Sequence, residues 1–394
     1  MFKIVRPFTH HDHPREIVRQ FTPNWFTATM GTGATALVIN QFPLHIPALH
    51  EIAASLWQAN IVLFAALTLL FVARWIFFPD GAARTLSHAV TPMALGAIPM
   101  GLATIVNGYI AFGIPRYGSE AVVIAQTLWW IDTALAVGVG LLVPFLMFTR
   151  QQHRMETMTG VWLLPVVACE VAAASGGLLA PHLANSVAAA HLLFTSYLLW
   201  SFSVPLALSI LVVLFLRLAL HKLPKRDAAV STWLALGPLG TGALGLLVLG
   251  HDAPAILGAV GMGDIGTVAR GIGLIGGLVL WGYGAWWLTM AVATTLTYLR
   301  HGLPFNLGWW GFTFPLGVFT LATLTLGAQT GMTVFTIIGA GLSVVLAALW
   351  VTVATQTLIG AYHGHLFADP GLAGGTAPQA APAHPAGLNT ASPN

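Results

Sequence analysis

Long apolar runs, separated by short polar or charged segments, fill most of the sequence. Proline, glycine and charged residues bound these runs, which predict ten helical spans near residues 24–42, 52–76, 89–113, 120–148, 160–181, 187–217, 231–250, 267–299, 309–328 and 333–360. Most of the runs exceed the roughly 20 residues that a helix needs to cross a bilayer. Because lipid cannot satisfy backbone hydrogen-bonding groups, such runs must be helical. The pattern predicts an all-α polytopic membrane protein with ten transmembrane helices.

Proline and glycine are concentrated in the odd-numbered spans, whereas the even-numbered spans are smoother apolar runs. The residues concerned include a repeated Pro-x-Gly unit and are Gly31, Gly33, Pro99, Gly101, Pro165, Pro238, Gly240, Pro315 and Gly317. A proline within a membrane helix frees a carbonyl group, which lipid cannot satisfy. We therefore predict five helical hairpins in a quasi-fivefold arrangement, with kinked inner helices lining a central pore and straighter outer helices facing lipid. The alternative is that these small residues serve only helix packing.

The composition supports a membrane protein. Of the 394 residues, 57% are hydrophobic and only 7% are charged. A soluble domain carries roughly a quarter of its residues as charged side chains. This chain is therefore not a soluble protein, and the lipid bilayer is its solvent. The formal charge of +3 lies mostly in loops and gives no reason to expect a nucleic-acid partner.

The basic residues predict the topology. If the N-terminus is cytoplasmic, thirteen of the fifteen Lys and Arg residues fall on the cytoplasmic side, and only Arg116 and Arg270 fall outside. This agrees with the positive-inside rule. We therefore predict a multi-pass plasma-membrane protein, expected in a bacterial inner membrane, with both termini in the cytoplasm. The predicted organisation is a cytoplasmic segment over 1–22, a membrane domain over 23–368 and a disordered tail over 369–394.

Three segments of the sequence carry a family resemblance, at residues 21–33, 128–132 and 309–320. They resemble the family that contains the bacterial tellurite-resistance protein, the plant guard-cell slow anion channel, and the fungal malic-acid permease and sulfite pump. The ending at 360–367 looks closest to the malic-acid and sulfite branch. The resemblance implies ten helices in five hairpins, a homotrimer of independent pores, and passage of small anions past a phenylalanine on the ninth helix. That phenylalanine matches Phe314.

The repeats also single out Phe314. Aligning them at the Pro-x-Gly unit places one residue of each odd span at a common level: Ala28, Ile98, Leu164, Gly237 and Phe314. A ring at a constricted level can block flow by occlusion and dewetting, so we predict that Phe314 is the gate. An aromatic side chain packed between helices is the alternative. The other four residues are predicted to line the pore together with Gly31, Thr32, Gly33, Pro99, Gly101, Pro165, Pro238, Gly240, Pro315 and Gly317.

Two acidic side chains, Asp132 and Glu170, lie in the interior of predicted spans, where ionisable groups mark function by default. Glu170 is the one ionisable residue of the odd spans, and it either couples proton entry to anion entry or serves as a structural carboxyl group. For Asp132 we predict a structural bond to a neighbouring helix. No Lys or Arg lies in the middle of an odd span. Anion selectivity must then come from hydroxyls such as Thr32, from helix dipoles, and from basic residues at the cytoplasmic mouth.

These features predict transport of small anions, either C4-dicarboxylates such as malate or sulfite-like anions. A passive channel for chloride or nitrate is the alternative, and a membrane-embedded redox enzyme is an alternative of another class. We predict no catalytic residue, metal or cofactor, because Gly-x-Ser-x-Gly and His-Glu-x-x-His motifs are missing and Cys169 is the single cysteine. The N-terminal histidines His10, His11 and His13 could bind a metal loosely, but a solvated segment is the preferred interpretation.

Overall fold

A computed structural model describes residues 13–44 and 46–373. Within these ranges the chain forms helices and connecting turns, without a β-strand. The α-helices are α1 (Pro14–Arg19), α2 (Thr27–Asn40), α3 (Pro47–Phe77), α4 (Pro79–Ser87), α5 (Ala97–Gly108), α6 (Ile114–Tyr117), α7 (Ser119–Thr149), α8 (Leu164–Leu179), α9 (Ser186–His221), α10 (Leu236–Gly258), α11 (Gly263–Leu299), α12 (Thr313–Thr330), α13 (Thr333–His363) and α14 (Pro370–Ala373). The predicted all-α class is confirmed.

The long helices agree with the predicted spans to within a few residues at most ends. Nine stretches of the described chain are long and apolar enough to cross a membrane: Pro47–Phe77, Thr91–Tyr117, Ser119–Thr149, Gly160–His182, Ser186–His221, Arg226–Gly258, Gly263–Leu299, Leu307–Thr330 and Thr333–His363. The first predicted span is a shorter helix, α2, which follows the 3₁₀ segment Pro23–Phe26. A polytopic membrane protein is therefore confirmed, while a crossing by α2, and with it the count of ten, stays a prediction.

Every odd-numbered span enters its α-helix through a 3₁₀ segment, a feature that the sequence analysis did not anticipate. These five segments are Pro23–Phe26, Thr91–Gly96, Gly160–Leu163, Arg226–Ala235 and Leu307–Phe312. They lead into α2, α5, α8, α10 and α12, which we call the inner helices. A 3₁₀ helix is narrower than an α-helix and seldom exceeds three or four residues. Its recurrence at five equivalent places supports the repeat inferred from proline and glycine.

The inner helices form a closed ring. Each contacts the next in chain order, and α12 contacts α2 to complete the circle. Each outer helix covers the groove between two inner ones; α13, for example, contacts both α12 and α2. The four inner spans that qualify as membrane-spanning are 67–100% buried in their apolar cores, whereas the five outer spans are 17–33% buried. The predicted hairpins, with buried inner helices and outer helices around them, are confirmed. The prolines of the Pro-x-Gly unit lie in the first turn of their α-helices, where a proline does not disturb the helix, so the predicted kinks stay a prediction.

Five inner-helix glycines lie where helices touch. A Cβ on Gly240 would lie 2.7 Å from the backbone nitrogen of Phe319, and one on Gly317 would lie 2.9 Å from the Cβ of Ala34. Real Cβ atoms do not approach other atoms so closely, because interiors are already close-packed. The same crowding applies to the remaining members of the set, which are Gly31, Gly33 and Gly101. The structure therefore assigns these five glycines to helix packing, the alternative interpretation, and not to an open pore wall.

A buried ion pair joins the two ends of the membrane domain. Arg74, at the end of α3, donates to Asp369 and to the hydroxyl of Thr85, and Asp369 accepts a second bond from that hydroxyl at 3.0 Å. The backbone N–H of Asp369 donates to Gln20 Oε1 at 2.8 Å. We call these contacts the Arg74 network. Residues 369–373 thus pack against the domain, and the rest of the predicted tail lies outside the described residues.

Candidate anion pathway

One face of α10 points to the centre of the helix ring, because neighbouring helices contact its other faces. We call such a face the inward face of an inner helix. Gly242 faces outward, since Trp200 of α9 donates its indole N–H to the Gly242 carbonyl oxygen at 3.0 Å. Gly240 touches α12. The remaining face, at the three- and four-residue spacing of one helix side, carries Gly237, Thr241, Leu244 and Val248. A Cβ on Gly237 would meet no atom within 4 Å, so this face borders open space.

Phe314 lies on the corresponding face of α12. On the opposite side, Phe319 stacks on Trp281 of α11 with the ring centroids 5.7 Å apart, and Gly317 touches α2. The face left free carries Phe314, Val318, Leu321 and Thr325. Phe314 itself is only 2% exposed, so its ring is enclosed by the ring of helices. This placement suits an occluding side chain, and the gating role stays a prediction.

The inward face of α8 is equally apolar. Cys169 faces outward, with its sulfur 3.6 Å from where a Cβ on Gly140 of α7 would lie. The opposite side of the helix carries Leu164, Val167, Val171, Ala174 and Leu178. These are aliphatic side chains without a charge, so a hydrated anion meets no strong binding group on this helix.

The two remaining inner helices follow the same rule. Gly101 of α5 touches α2, and Gly108 touches Trp57 of α3, which leaves Ile98 and Leu102 facing inward. On α2, Thr32 is turned outward, because its hydroxyl accepts a bond from Trp350 Nε1 of α13 at 3.1 Å. The inward residues of α2 are then Met30 and Leu37. Among the described residues, the five inward faces carry hydroxyl groups but no charged side chain between their two ends.

A cavity of about 670 Å³ lies at the end of the ring where α2, α8 and α12 terminate. We call it the vestibule. Its lining residues are Gln41, Pro43, Leu178, Val248, His251, Asp252, Leu324, Thr325, Gly327, Ala328, Gln329 and Thr336. Leu178, Val248 and Thr325 also belong to the inward faces. The vestibule therefore borders the inward faces, and half of its lining residues are polar or charged.

The acid on α8 is buried away from the ring centre. Glu170 is completely buried, and neither of its carboxyl oxygens has a hydrogen-bond partner among the described residues. The hydroxyl of Ser203 lies beside it but donates to the Val166 carbonyl oxygen at 2.8 Å. Glu170 shares a helix face with Gly177, whose Cβ would lie 2.9 Å from Val248 of α10. The carboxyl group thus faces the groove between α8 and α10.

Asp132, on the outer helix α7, is also completely buried. The bond to a neighbouring helix that the sequence predicted for it is not present among the described residues, where both its oxygens lack a partner. Trp129 makes that link instead, by donating to the Ala172 carbonyl oxygen of α8 at 2.8 Å. The aromatic residue, and not the acid, therefore ties α7 to α8.

The structure separates the predicted pore residues into two groups. Ile98, Leu164, Gly237 and Phe314 lie on inward faces, and that they line a pore at a common level stays a prediction. Ala28 does not, because it lies four residues before Thr32 and shares the face that contacts α13. The predicted prolines are buried within the inner helices, and they are Pro99, Pro165, Pro238 and Pro315.

Sequence reasoning missed several residues that lie on the inward faces or line the vestibule. They are Met30, Thr241, Val318, Thr325 and the polar walls of the vestibule. Steps of three or four residues from the predicted level would have found Val318 and Thr241. The vestibule has no such signal, because its walls come from five separate segments.

The histidines do not form a metal site in the part of the chain that the structure describes. No group of three or more His, Cys, Asp or Glu side chains there could hold a metal ion. His13 is exposed and precedes α1. His10 and His11 lie outside the described residues, so the loose metal site considered for the N-terminus stays untested.

Comparison with known proteins identifies a family and several relatives of this chain. Residues 20–358 match the family described as voltage-dependent anion channel. The chain is 40% identical over 343 residues to the sulfite efflux pump of Arthroderma otae, covering 86% of this chain and 91% of that protein. Identity to the sulfite efflux pump of Trichophyton rubrum is 40% over 346 residues, with the same coverage. The malic acid transport protein of Schizosaccharomyces pombe is 24% identical over 345 residues, covering 85% of this chain and 77% of that protein.

The family match, the relatives and the fold point in one direction. The match covers nearly the whole membrane domain and both ends of the helix ring. The relatives are named as carriers of sulfite or malic acid, which are anions. An anion path through a ring of inner helices agrees with both. This chain is a multi-pass membrane protein that belongs to the voltage-dependent anion channel family, a family of anion channels and transporters and not of enzymes.

Proposed function

We propose that the chain exports sulfite and related small oxyanions through the centre of its helix ring. The observation that carries this proposal is the 40% identity to sulfite efflux pumps over most of both chains. The neutral inward faces support it, because a small anion can pass weak sites quickly, whereas an anion that binds tightly cannot leave. A C4-dicarboxylate such as malate carries two separated carboxylates, and the inward faces offer no cationic clamp for them.

The polarity of the ring supports entry of anions from the cytoplasm. Gly31 lies against Thr313 and Gly317 against Ala34, so α2 and α12 run parallel. Parallel inner helices place their N-termini, with partial positive charge, at one mouth and their C-termini at the other. The loops that carry most of the basic residues lie at the N-terminal mouth, which we place in the cytoplasm together with both chain termini. The membrane is then the plasma membrane, and in a bacterium the inner membrane.

Phe314 is proposed to be the gate on this path. Its ring lies on the inward face of α12, and Gly237 lies on the inward face of the neighbouring helix α10, with open space beside it. Gly240 touches Phe319, and this contact sets Phe314 and Gly237 within about one helical turn of each other along the ring axis. A swing of the Phe314 ring toward Gly237 would therefore open the path without displacing a helix.

Glu170 is proposed to act as a structural carboxyl group in this mechanism. Its place in the groove between α8 and α10 keeps it away from the anion path. Proton coupling through Glu170 is the competing proposal, and the pH-gradient experiment described below for flux separates the two.

We also propose a homotrimer in which each protomer holds its own path. The outer helices carry many exposed large apolar side chains, such as Phe145, Phe148 and Leu198, which must face lipid or another copy. Native mass spectrometry of the detergent-solubilised protein tests this assembly. A monomer or dimer as the main species would contradict it.

Anion flux in proteoliposomes tests the proposed function. Sulfite, malate and chloride would be compared with and without an imposed pH gradient, using empty liposomes as the control. We expect sulfite flux to be the largest and to run down its own concentration gradient. Malate flux exceeding sulfite flux would favour the second candidate, which the 24% identical malic acid transport protein supports. Equal flux of all three anions would mean a passive channel. Accumulation of an anion driven by the pH gradient would favour proton coupling through Glu170.

A further inference from the structure

The vestibule differs from the rest of the path in its titratable groups. His251 and Asp252 of α10 line it directly. Asp252 also interacts electrostatically with His182, which ends the 3₁₀ segment Ala180–His182 after α8. His251 and His182 are exposed, and Asp252 is half-buried, so water and protons from the bulk reach all three. His251 and Asp252 thus lie in the wall of the vestibule, and His182 lies at its rim, four residues beyond the lining residue Leu178 on a segment that packs against α10.

Among the described residues, the other segments that form the vestibule add no charge to its lining. Gln41 follows α2, Gln329 belongs to α12 and Thr336 to α13, and all three are neutral. The amide of Gln329 is held in place, because its N–H donates to the Leu247 carbonyl oxygen at 3.1 Å. The net charge of the vestibule therefore depends on the two imidazoles and the one carboxylate.

The outer helices that pack nearby carry a few charged groups at the rim. Arg270 of α11 has its Cα 3.3 Å from where a Cβ on Gly250 would lie, and both Arg270 and Asp264 of the same helix are exposed. Their opposite charges offset each other, and bulk water screens them. His191 of α9 is exposed too, but it does not line the vestibule.

The charge of the vestibule depends on the protonation of its imidazoles. As a class, imidazole side chains can gain or lose a proton near neutral pH, whereas amides and hydroxyls do not. With both imidazoles protonated and Asp252 ionised, the three groups sum to one positive charge. With both imidazoles neutral, they sum to one negative charge. A small anion is therefore attracted at acidic pH and repelled at neutral to alkaline pH, where the C-terminal helix ends add to the repulsion.

We propose that the vestibule is a proton-switched binding site for small oxyanions at the exit of the path. Protonated His182 and His251 hold the anion, and their neutral forms release it past Asp252. The proposal rests on the sulfite transport proposed above, and it adds a place and a condition for release. The expected change in affinity is about two- to fivefold for each charge, as for unit charges a few ångströms apart in a solvated site.

Uptake of sulfite by cells tests this site, since every copy then has one orientation. Sulfite would be applied to the vestibule side of cells that lack other sulfite carriers, with the cytoplasmic pH held constant. The half-saturating concentration would be measured at about pH 5.5 and about pH 8, on either side of the imidazole range. Sulfite itself changes protonation over this range, but it does so equally for every variant, so differences between variants report on the protein.

Three variants are compared with the wild type. In the double variant His182→Gln and His251→Gln, we expect the rise in half-saturating concentration between the two pH values to shrink by about four- to twenty-five-fold, because two charges have been removed. In Asp252→Asn, we expect tighter binding at about pH 8, where repulsion by the carboxylate is strongest. His191→Gln is the matched control, because it removes an exposed imidazole outside the vestibule, and it should behave as the wild type.

The outcomes separate the vestibule from the function. Sulfite uptake with the same pH dependence in the double variant and the wild type would overturn the vestibule proposal while leaving sulfite transport intact. Absence of sulfite uptake in the wild type would overturn the proposed function. In that case the same variants, measured with nitrate, decide whether the vestibule binds small anions.

Discussion

The Arg74 network allows a direct test of how much a buried ion pair stabilises the membrane domain near the N-terminal mouth. The change is Asp369→Ala, which removes the carboxylate from an ion pair whose side chains are 1% and 0% exposed. Arg74 then remains as a buried cation. It keeps the hydroxyl of Thr85 and the carbonyl oxygens of Phe21 and Gly81 as acceptors, but none of these carries a charge.

The cost follows from burial. Removing one partner of a buried ion pair costs about 3–5 kcal/mol, because the other charge is left uncompensated. The remaining acceptors around Arg74 lower the expected loss to about 3 kcal/mol, the lower end of that range. Replacing both partners by apolar residues, as in Arg74→Met with Asp369→Leu, leaves no orphan charge and should cost less than the single change.

Denaturant unfolding of the purified protein in mixed micelles measures this loss. Tryptophan fluorescence suits the assay, since the chain has 14 tryptophans. The matched control is Glu16→Ala, which breaks an exposed ion pair with Arg19 at 3.3 Å and should cost less than about 1 kcal/mol. If Asp369→Ala costs no more than Glu16→Ala, or if the double change costs more than the single one, the reasoning from burial is refuted.

Three further predictions concern the path and the ring. Phe314→Ala should raise anion flux several-fold in proteoliposomes, because it removes an occluding ring. Unchanged flux would exclude Phe314 as the gate. The matched control is Phe148→Ala, which changes a side chain that is 83% exposed on an outer helix. Gly240→Val should lower the yield of folded protein in size-exclusion chromatography, because a Cβ would lie 2.7 Å from a backbone nitrogen, whereas Gly237→Ala should fold normally because nothing lies within 4 Å. Equal yields for the two would contradict the packing argument. Glu170→Gln should leave the pH dependence of flux unchanged if the carboxyl group is structural, and loss of that dependence would establish proton coupling.

The sequence predicted the helix ring well because the relevant information is local and repeated. The length of each apolar run defines a span. The alternation between spans rich in proline and glycine and spans with fewer interruptions separates inner from outer helices. The pattern of Pro238 and Gly240 returning at Pro315 and Gly317 also predicted equivalent positions in two inner helices. What it could not distinguish was the direction in which each small residue faces. Gly237 borders open space and Gly240 a neighbouring backbone, although they lie three residues apart.

Features that join distant parts of the chain were beyond sequence reasoning. Arg74 and Asp369 are 295 residues apart, and each looks like an ordinary loop or tail charge when taken alone. The vestibule is built from segments whose single polar residues carry no pattern. The 3₁₀ segments were missed for a different reason: the prolines near the helix starts were interpreted as kinks within α-helices, and the 3₁₀ geometry depends on the packing of the ring.

The 3₁₀ segments give the inner helices a means of adjusting their length. A 3₁₀ residue advances about 2.0 Å and an α-helical residue about 1.5 Å, so each residue that changes form shortens the rod by about 0.5 Å and turns it by about 20°. Arg226–Ala235 contains ten such residues, and each of the other four segments contains four or six residues in the equivalent position. When a few residues change between the two forms, an inner helix would rotate about its axis and shift along it. The five inner helices could make this movement together while the outer helices keep their positions in the lipid.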